Sequence, residues 1–265
     1  MQTTPDFPDL LRLIDERSTA FRAAVAAAPD LDAQVPTCPE WTLFDLVRHL
    51  GEGRRAWAAT VAAGPTATSK AVPQGAPPVP RERAAQVAWL AASTEQLLDA
   101  LRESGPDRGC WTWWGTSQSP QNCGAVARHQ LYEIALHTYD AQLTIGAPQS
   151  LPQEVALDGV DEFLSTCVAT TVAWPHAPAT VDYHATEGRS WRLRLSAEGA
   201  QAARLPAPGA ASASASGAEP GTPDASARGT AHELLMTMYG RLPVDVPALD
   251  GDRRVFDRLV AWEPE

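Results

Sequence analysis

The sequence predicts an α+β chain of two domains, a helical half over residues 1–150 and a smaller mixed half over residues 151–265. Three observations lead there. Long stretches before residue 150 repeat apolar residues at helical spacing. Around residues 180–195 the pattern switches to the period of two that marks strands. The length of 265 residues also exceeds what one modest domain needs.

The first helix is predicted over Asp6–Ala27, with Leu10, Leu11, Ile14, Phe21 and Val25 on its apolar stripe and Pro29 beyond its end. Thr37, followed three residues later by Glu40, reads as a capping box with Pro39 in the first turn, so a second helix is expected over Trp41–Ala63. Leu43, Leu46, Val47, Leu50 and Trp57 form its stripe. The Pro- and Ala-rich stretch Gly64–Pro80 reads as a surface loop, and Arg81–Ser104 as a third helix. An aromatic loop, Gly105–Asn122, leads to a fourth helix, Gly124–Ile145, stopped by Gly146 and Pro148. Four such helices with long connections suggest a four-helix bundle.

In the second half a helix is expected around Val155–Ala173. A β-hairpin follows, with strands Thr180–Ala185 and Trp191–Leu195 turned by Glu187 and Gly188. Residues 205–228 form an Ala/Ser run in a Pro/Gly frame, too poor in large apolar groups to build core, and are expected to be a flexible excursion. Helices around Thr230–Tyr239 and Arg253–Trp262 close the chain, with a Gly240–Arg241 step after the first.

Composition narrows the function. With 21 basic against 32 acidic residues the net charge is −11, which disfavours a surface that tracks phosphates, so no nucleic-acid partner is expected. No apolar run approaches the ~20 residues that span a bilayer, and the N-terminal residues carry acids rather than a basic head. The expectation is a cytoplasmic protein, neither exported nor anchored, with no membrane partner. The four cysteines, Cys38, Cys110, Cys123 and Cys167, are scattered without a CxxC pair and read as reduced packing thiols.

The most informative spacing is Glu133 and His137, one turn apart on one face of a helix. His49 sits at the margin of the second helix's stripe, and in a bundle it can point between helices toward that pair. Two imidazoles and a carboxylate would give three ligands suited to zinc and leave a position open, as catalytic sites do. The same spacing also suits a solvated ion pair. His129, four residues before Glu133, is a further candidate ligand or an orienting residue, and Asp140 can fix the tautomer of a metal-bound His137 or join a local charge pattern. Trp113 and Trp114, with Trp111, can wall a ligand pocket or seal a bundle end. No phosphate-binding glycine loop and no GxSxG elbow occurs.

Three segments, VPTCPEWTLFDLVRHLGEGRRAW (Val35–Trp57), CWTWWG (Cys110–Gly115) and ARHQLYEIALHTYDAQ (Ala127–Gln142), resemble the metal-binding domain of the mycothiol-dependent maleylpyruvate isomerase family. The similarity continues through LDGVDEFL (Leu157–Leu164), the hairpin and GTAHELLMTMYGR (Gly229–Arg241). It implies a DinB-like four-helix bundle followed by a sterol-carrier-like α+β domain, with His49, Glu133 and His137 as zinc ligands. It also implies mycothiol as a cosubstrate and Arg241 reaching toward the site as a catalytic and cofactor-binding cation; Trp113 and Trp114, read above as a pocket wall, are the other expected cofactor-binding residues. Zinc lowers the pKa of a coordinated thiol, so the nucleophile would come from the cosubstrate rather than from a protein cysteine. The thiolate could add to an electron-poor double bond, permit rotation and leave, giving cis–trans isomerisation, or it could stay attached, giving S-transfer. The substrate implied is a small electrophile carrying a carboxylate, and the protein a monomer or homodimer. Tyr132 stands where relatives often carry His. Two other functions remain open at this point: a thiol-independent metalloenzyme acting through zinc-bound water, as a hydrolase or lyase, and a non-catalytic small-molecule carrier.

Overall fold

The computed structural model describes residues 4–73, 75–206 and 221–262. The chain divides into two compact units, Met1–Gly115 with Pro120–Leu151, and Thr116–Ser119 with Pro152–Glu265.

The first unit is four long helices. α1 (Phe7–Ala27) is capped by Asp6, whose carboxylate accepts from the Asp9 amide. α2 is Leu43–Ala63, α3 is Arg83–Ser104 and α4 is Cys123–Thr144, the last two capped by Glu82 and Asn122. α1 packs on α4 and α3, and α2 on α3 and α4. Phe21, Val25, Leu46, Val47, Leu50, Leu90 and Ile134 form their common core. Gly51 is required where α2 meets α3, since a Cβ there would lie 1.7 Å from the Trp89 ring. Inside this core the buried Arg54 donates to the hydroxyls of Thr94 and Ser18, tying α2 to α3 and α1.

The predicted start of α2 is corrected. Thr37 is not its cap; residues 38–42 instead form strand β2 (Cys38–Thr42), which pairs antiparallel with β1 (Gln34–Val35). The cap is Thr42, whose hydroxyl accepts from the Asp45 amide while the Asp45 carboxylate accepts from the Thr42 amide. Both Thr37–Glu40 and Thr42–Asp45 satisfy the capping-box pattern. Pairing with Gln34 and Val35 holds the first of them extended and leaves the second to nucleate the helix.

The second unit begins with α5 (Gln153–Glu162), which runs into a π-helical turn, Phe163–Val168. The helix therefore ends before the predicted Ala173. Thr170 exchanges backbone hydrogen bonds with Ala200, and this approach needs Gly199, where a Cβ would lie 2.0 Å from the Thr170 carbonyl oxygen and φ is +114°.

A five-stranded sheet follows, built from β3 (Ala179–Ala185), β4 (Ser190–Ser196), β5 (Gly199–Arg204), β6 (Ala225–Gly229) and β7 (Ala248–Gly251). Its order is β5-β4-β3-β6-β7, with β3 and β6 parallel and the other pairs antiparallel. α6 (Ala231–Met238) and α7 (Arg254–Ala261) complete the unit. The excursion expected over 205–228 is thus shortened, because the chain is already in strand β6 at Ala225. Residues 207–220 of it lie outside the described residues. Among the described residues no helix is long and apolar enough to cross a membrane.

Candidate metal centre

α2 carries His49 and α4 carries Glu133 and His137, and the packing of these two helices in the first unit brings the three together. One ligand atom from each lies within 4.8 Å of the others. His49 Nε2 is 2.8 Å and His137 Nε2 3.7 Å from the same carboxylate oxygen, Glu133 Oε1. The two imidazoles stand edge to face with ring centres 5.1 Å apart. The Trp41 ring, carried by β2, lies 4.7 Å from His49 and 6.2 Å from His137 and gives the cluster an apolar wall.

The far side of His137 is equally defined. Its Nδ1 lies 2.8 Å from Asp140 Oδ2, and Thr37 Oγ1 donates to Asp140 Oδ1 at 2.6 Å. Asp140 is fully buried. A carboxylate oxygen accepts, so Nδ1 carries a proton toward Asp140, and Nε2 is the nitrogen that faces His49 and Glu133. Burial pushes the Glu133 carboxyl up, but the hydrogen bond from His49 and the charges of His137, His49 and His129 outweigh it and hold the group down at about 2. Glu133 is therefore an anion at neutral pH.

These residues fit a divalent metal. A tetrahedral ion with bonds of ~2.0–2.1 Å sets its ligand atoms ~3.3 Å apart, and the separations of 2.8 and 3.7 Å bracket that value. Two neutral imidazoles and one carboxylate are borderline donors that suit zinc and its neighbours, and three protein ligands leave room for one from solution. A carboxylate on the outer nitrogen of a ligating histidine raises its basicity. Asp140→Asn is therefore expected to weaken metal binding about tenfold, the low end for such partners, measured by competition with a chelator. Unchanged affinity would reduce Asp140 to a packing role.

The other candidate residues are distributed differently. His129 is not in the cluster; its ring lies 5.0 Å from Trp114 and 5.5 Å from Trp113. The two tryptophans part company. Trp114 is 2% exposed, donates Nε1–H to the Pro120 carbonyl and packs on Trp57, while Trp113 is 51% exposed. Arg241 belongs to the second unit, just beyond α6, and donates to the Tyr239 carbonyl. Cys110 and Cys123 are both buried, and the Cys110 thiol is directed to the Trp111 carbonyl oxygen at 3.4 Å; the influence of each thiol on the other pushes Cys110 up and Cys123 down.

Fold and site together define a two-domain α+β chain whose helical unit carries a His/Glu/His cluster of the metal-binding kind. The mycothiol maleylpyruvate isomerase N-terminal domain matches residues 11–142, and the C-terminal domain of the same family matches residues 154–258. The chain belongs to the mycothiol-dependent maleylpyruvate isomerase family. Its fold is similar to crystal structures of the mycothiol-dependent maleylpyruvate isomerase and of its histidine-to-alanine mutant, with TM-scores of 0.54 and 0.56. Each comparison covers 94% of this chain and 96% of the other, at 14% and 13% sequence identity, so the likeness is one of fold. No curated protein matches the sequence.

Proposed function

We propose that this protein is a cytoplasmic, zinc-dependent enzyme that uses mycothiol to isomerise, or to attach sulfur to, a small electrophile bearing a carboxylate. The observation that carries the reading is the convergence of His49, Glu133 and His137, with Asp140 fixing the outer ring. Family membership supports the thiol, and the absence of a cysteine from the cluster among the described residues favours a sulfur supplied from solution. A DinB-like bundle and a sterol-carrier-like partner domain would be the scaffolds.

A divalent metal bound there supplies Lewis acidity that makes a thiolate available near neutral pH. The protein's residues do the rest. Glu133 offers a charge that costs no proton release at pH 7. Asp140 and Thr37 keep His137 in one tautomer and one orientation, and Trp41 packs against both histidines. Trp113 is the exposed ring offered to the thiol, and Trp114 supports it from the core. Arg241 supplies a guanidinium suited to a substrate carboxylate or a developing enolate. In isomerisation the thiolate would form a C–S bond at the activated alkene, pushing the π electrons onto the conjugated carbonyl. After rotation the C–S bond breaks and the thiolate returns.

The reading is tested by calorimetry with zinc-loaded protein. Mycothiol should bind the wild type at one equivalent and should bind His49→Ala at least tenfold more weakly. Zinc uptake without any thiol binding would sink the mycothiol reading and favour a thiol-independent metalloenzyme.

A further inference from the structure

The second unit contains a cavity of about 310 Å³, lined by residues of that unit alone, among them Phe163, Tyr183, Leu193, Leu234, Met238 and Phe256. β3, β4, β6, β7, α6, α7 and the π-helical turn Phe163–Val168 all contribute to its lining. Among the described residues its lining holds no Asp, Glu, Lys, Arg or His. At ~30 Å³ per water it has the share of roughly ten waters, or room for a ligand of about ten to fifteen non-hydrogen atoms.

Its polar groups are few. The Thr237 hydroxyl is directed to the Pro243 carbonyl and the Cys167 thiol lies 3.8 Å from the Tyr239 hydroxyl. Tyr183 differs. It is 8% exposed, its ring packs edge-on to Phe256, and its hydroxyl has no hydrogen-bond partner among the described residues. Burial pushes this phenol up, so it stays an O–H donor at any physiological pH. A buried tyrosine hydroxyl ordinarily finds a partner. Here it lines a space large enough for a ligand to supply one.

We infer that this cavity binds a neutral, mostly apolar small molecule with a single hydrogen-bond acceptor directed at the Tyr183 hydroxyl. A carboxylate or ammonium would leave water there without a counter-charge. Apolar pockets take up apolar guests. The site shares no residue with His49, Glu133 or His137, and its ligand class is unlike an anionic substrate, so it stands whether or not the metal-centre reading does.

The test is fluorescence titration of the full chain with 1-aminoanthracene, a neutral probe of suitable size, with 2-decanone and decanoate as competitors at pH 8. We expect saturable one-to-one binding, displacement by 2-decanone, and displacement by decanoate at least tenfold weaker. Ala227→Phe, which puts a ring into the cavity, should weaken the probe tenfold or more. Tyr183→Phe should weaken 2-decanone about fivefold, the value of one hydrogen bond, and leave the probe's affinity unchanged, a split that loss of folding cannot produce. Absence of saturable binding, equal competition by decanoate, or unchanged ketone affinity in Tyr183→Phe would each overturn the inference.

Discussion

Replacing His137 by alanine is expected to strip the helical unit of its metal while leaving it folded. The imidazole is one of the three proposed ligands. If structural zinc sites hold the ion by ~10–16 kcal/mol over four ligands, one ligand is worth ~2.5–4 kcal/mol, or about two to three orders of magnitude in affinity. The cost to folding should be smaller. Asp140 loses the His137 donor but keeps Thr37 Oγ1 at 2.6 Å, so the penalty is about that of one hydrogen bond with a charged partner, ~1–3 kcal/mol. Metal-to-protein ratio and the thermal midpoint, measured on the same preparation, separate the two effects. A His137→Ala protein that still purifies with one equivalent of tightly bound metal would remove His137 from the ligand set. One that loses its metal only by unfolding would leave the assignment without support, and His137→Gln would then serve as the gentler variant.

The second large effect concerns stability of the α+β unit. Asp182 on β3 faces Arg192 on β4 in register, and the guanidinium grips the carboxylate with two bonds of 2.7 Å. Both residues are buried, at 4% and 5% exposure. The hydrogen bond and charge of Asp182 push the Arg192 guanidinium up, while burial opposes them. Such a pair is a weak net stabiliser against an apolar replacement, but removing one partner strands the other. Asp182→Ala should therefore cost about 3 kcal/mol, and Asp182→Leu combined with Arg192→Met should recover most of it. Denaturant unfolding of the single and double variants checks this, and equal destabilisation in both would show that packing rather than a stranded charge is responsible.

How legible the fold was depended on the size of the side chains. Helices α1, α2 and α3 were readable from apolar residues at helical spacing, whereas α4, buried on most of its faces, was readable from the Gly146 and Pro148 that stop it. β3 and β4 showed themselves through Val181, Tyr183, Trp191, Leu193 and Leu195. β5, β6 and β7 did not, because GAQAAR, ASARG and ALDG are short and poor in β-branched and aromatic residues. Their extended state is imposed by neighbours in the sheet, which no local pattern records. Among the candidate site residues, the four-residue spacing of Glu133 and His137 pointed to one face of one helix, and His49 needed only helix pairing to join them. Asp140 was visible as a neighbour of His137, but Thr37 touches it from 103 positions away. Thr37 also fits the capping-box pattern, and nothing in its local sequence marks a contact with Asp140. Trp41, placed by the sequence at the start of a helix, is a strand residue whose ring walls the histidines.

The central claim, that a thiol from solution binds a metal held by His49, Glu133 and His137, is tested most directly by replacing zinc with cobalt(II) and following the near-ultraviolet spectrum as mycothiol is added. The account predicts a sulfur-to-cobalt charge-transfer band that saturates at one equivalent and is lost in His137→Ala. Cobalt bound at full occupancy with no such band at saturating mycothiol would contradict it.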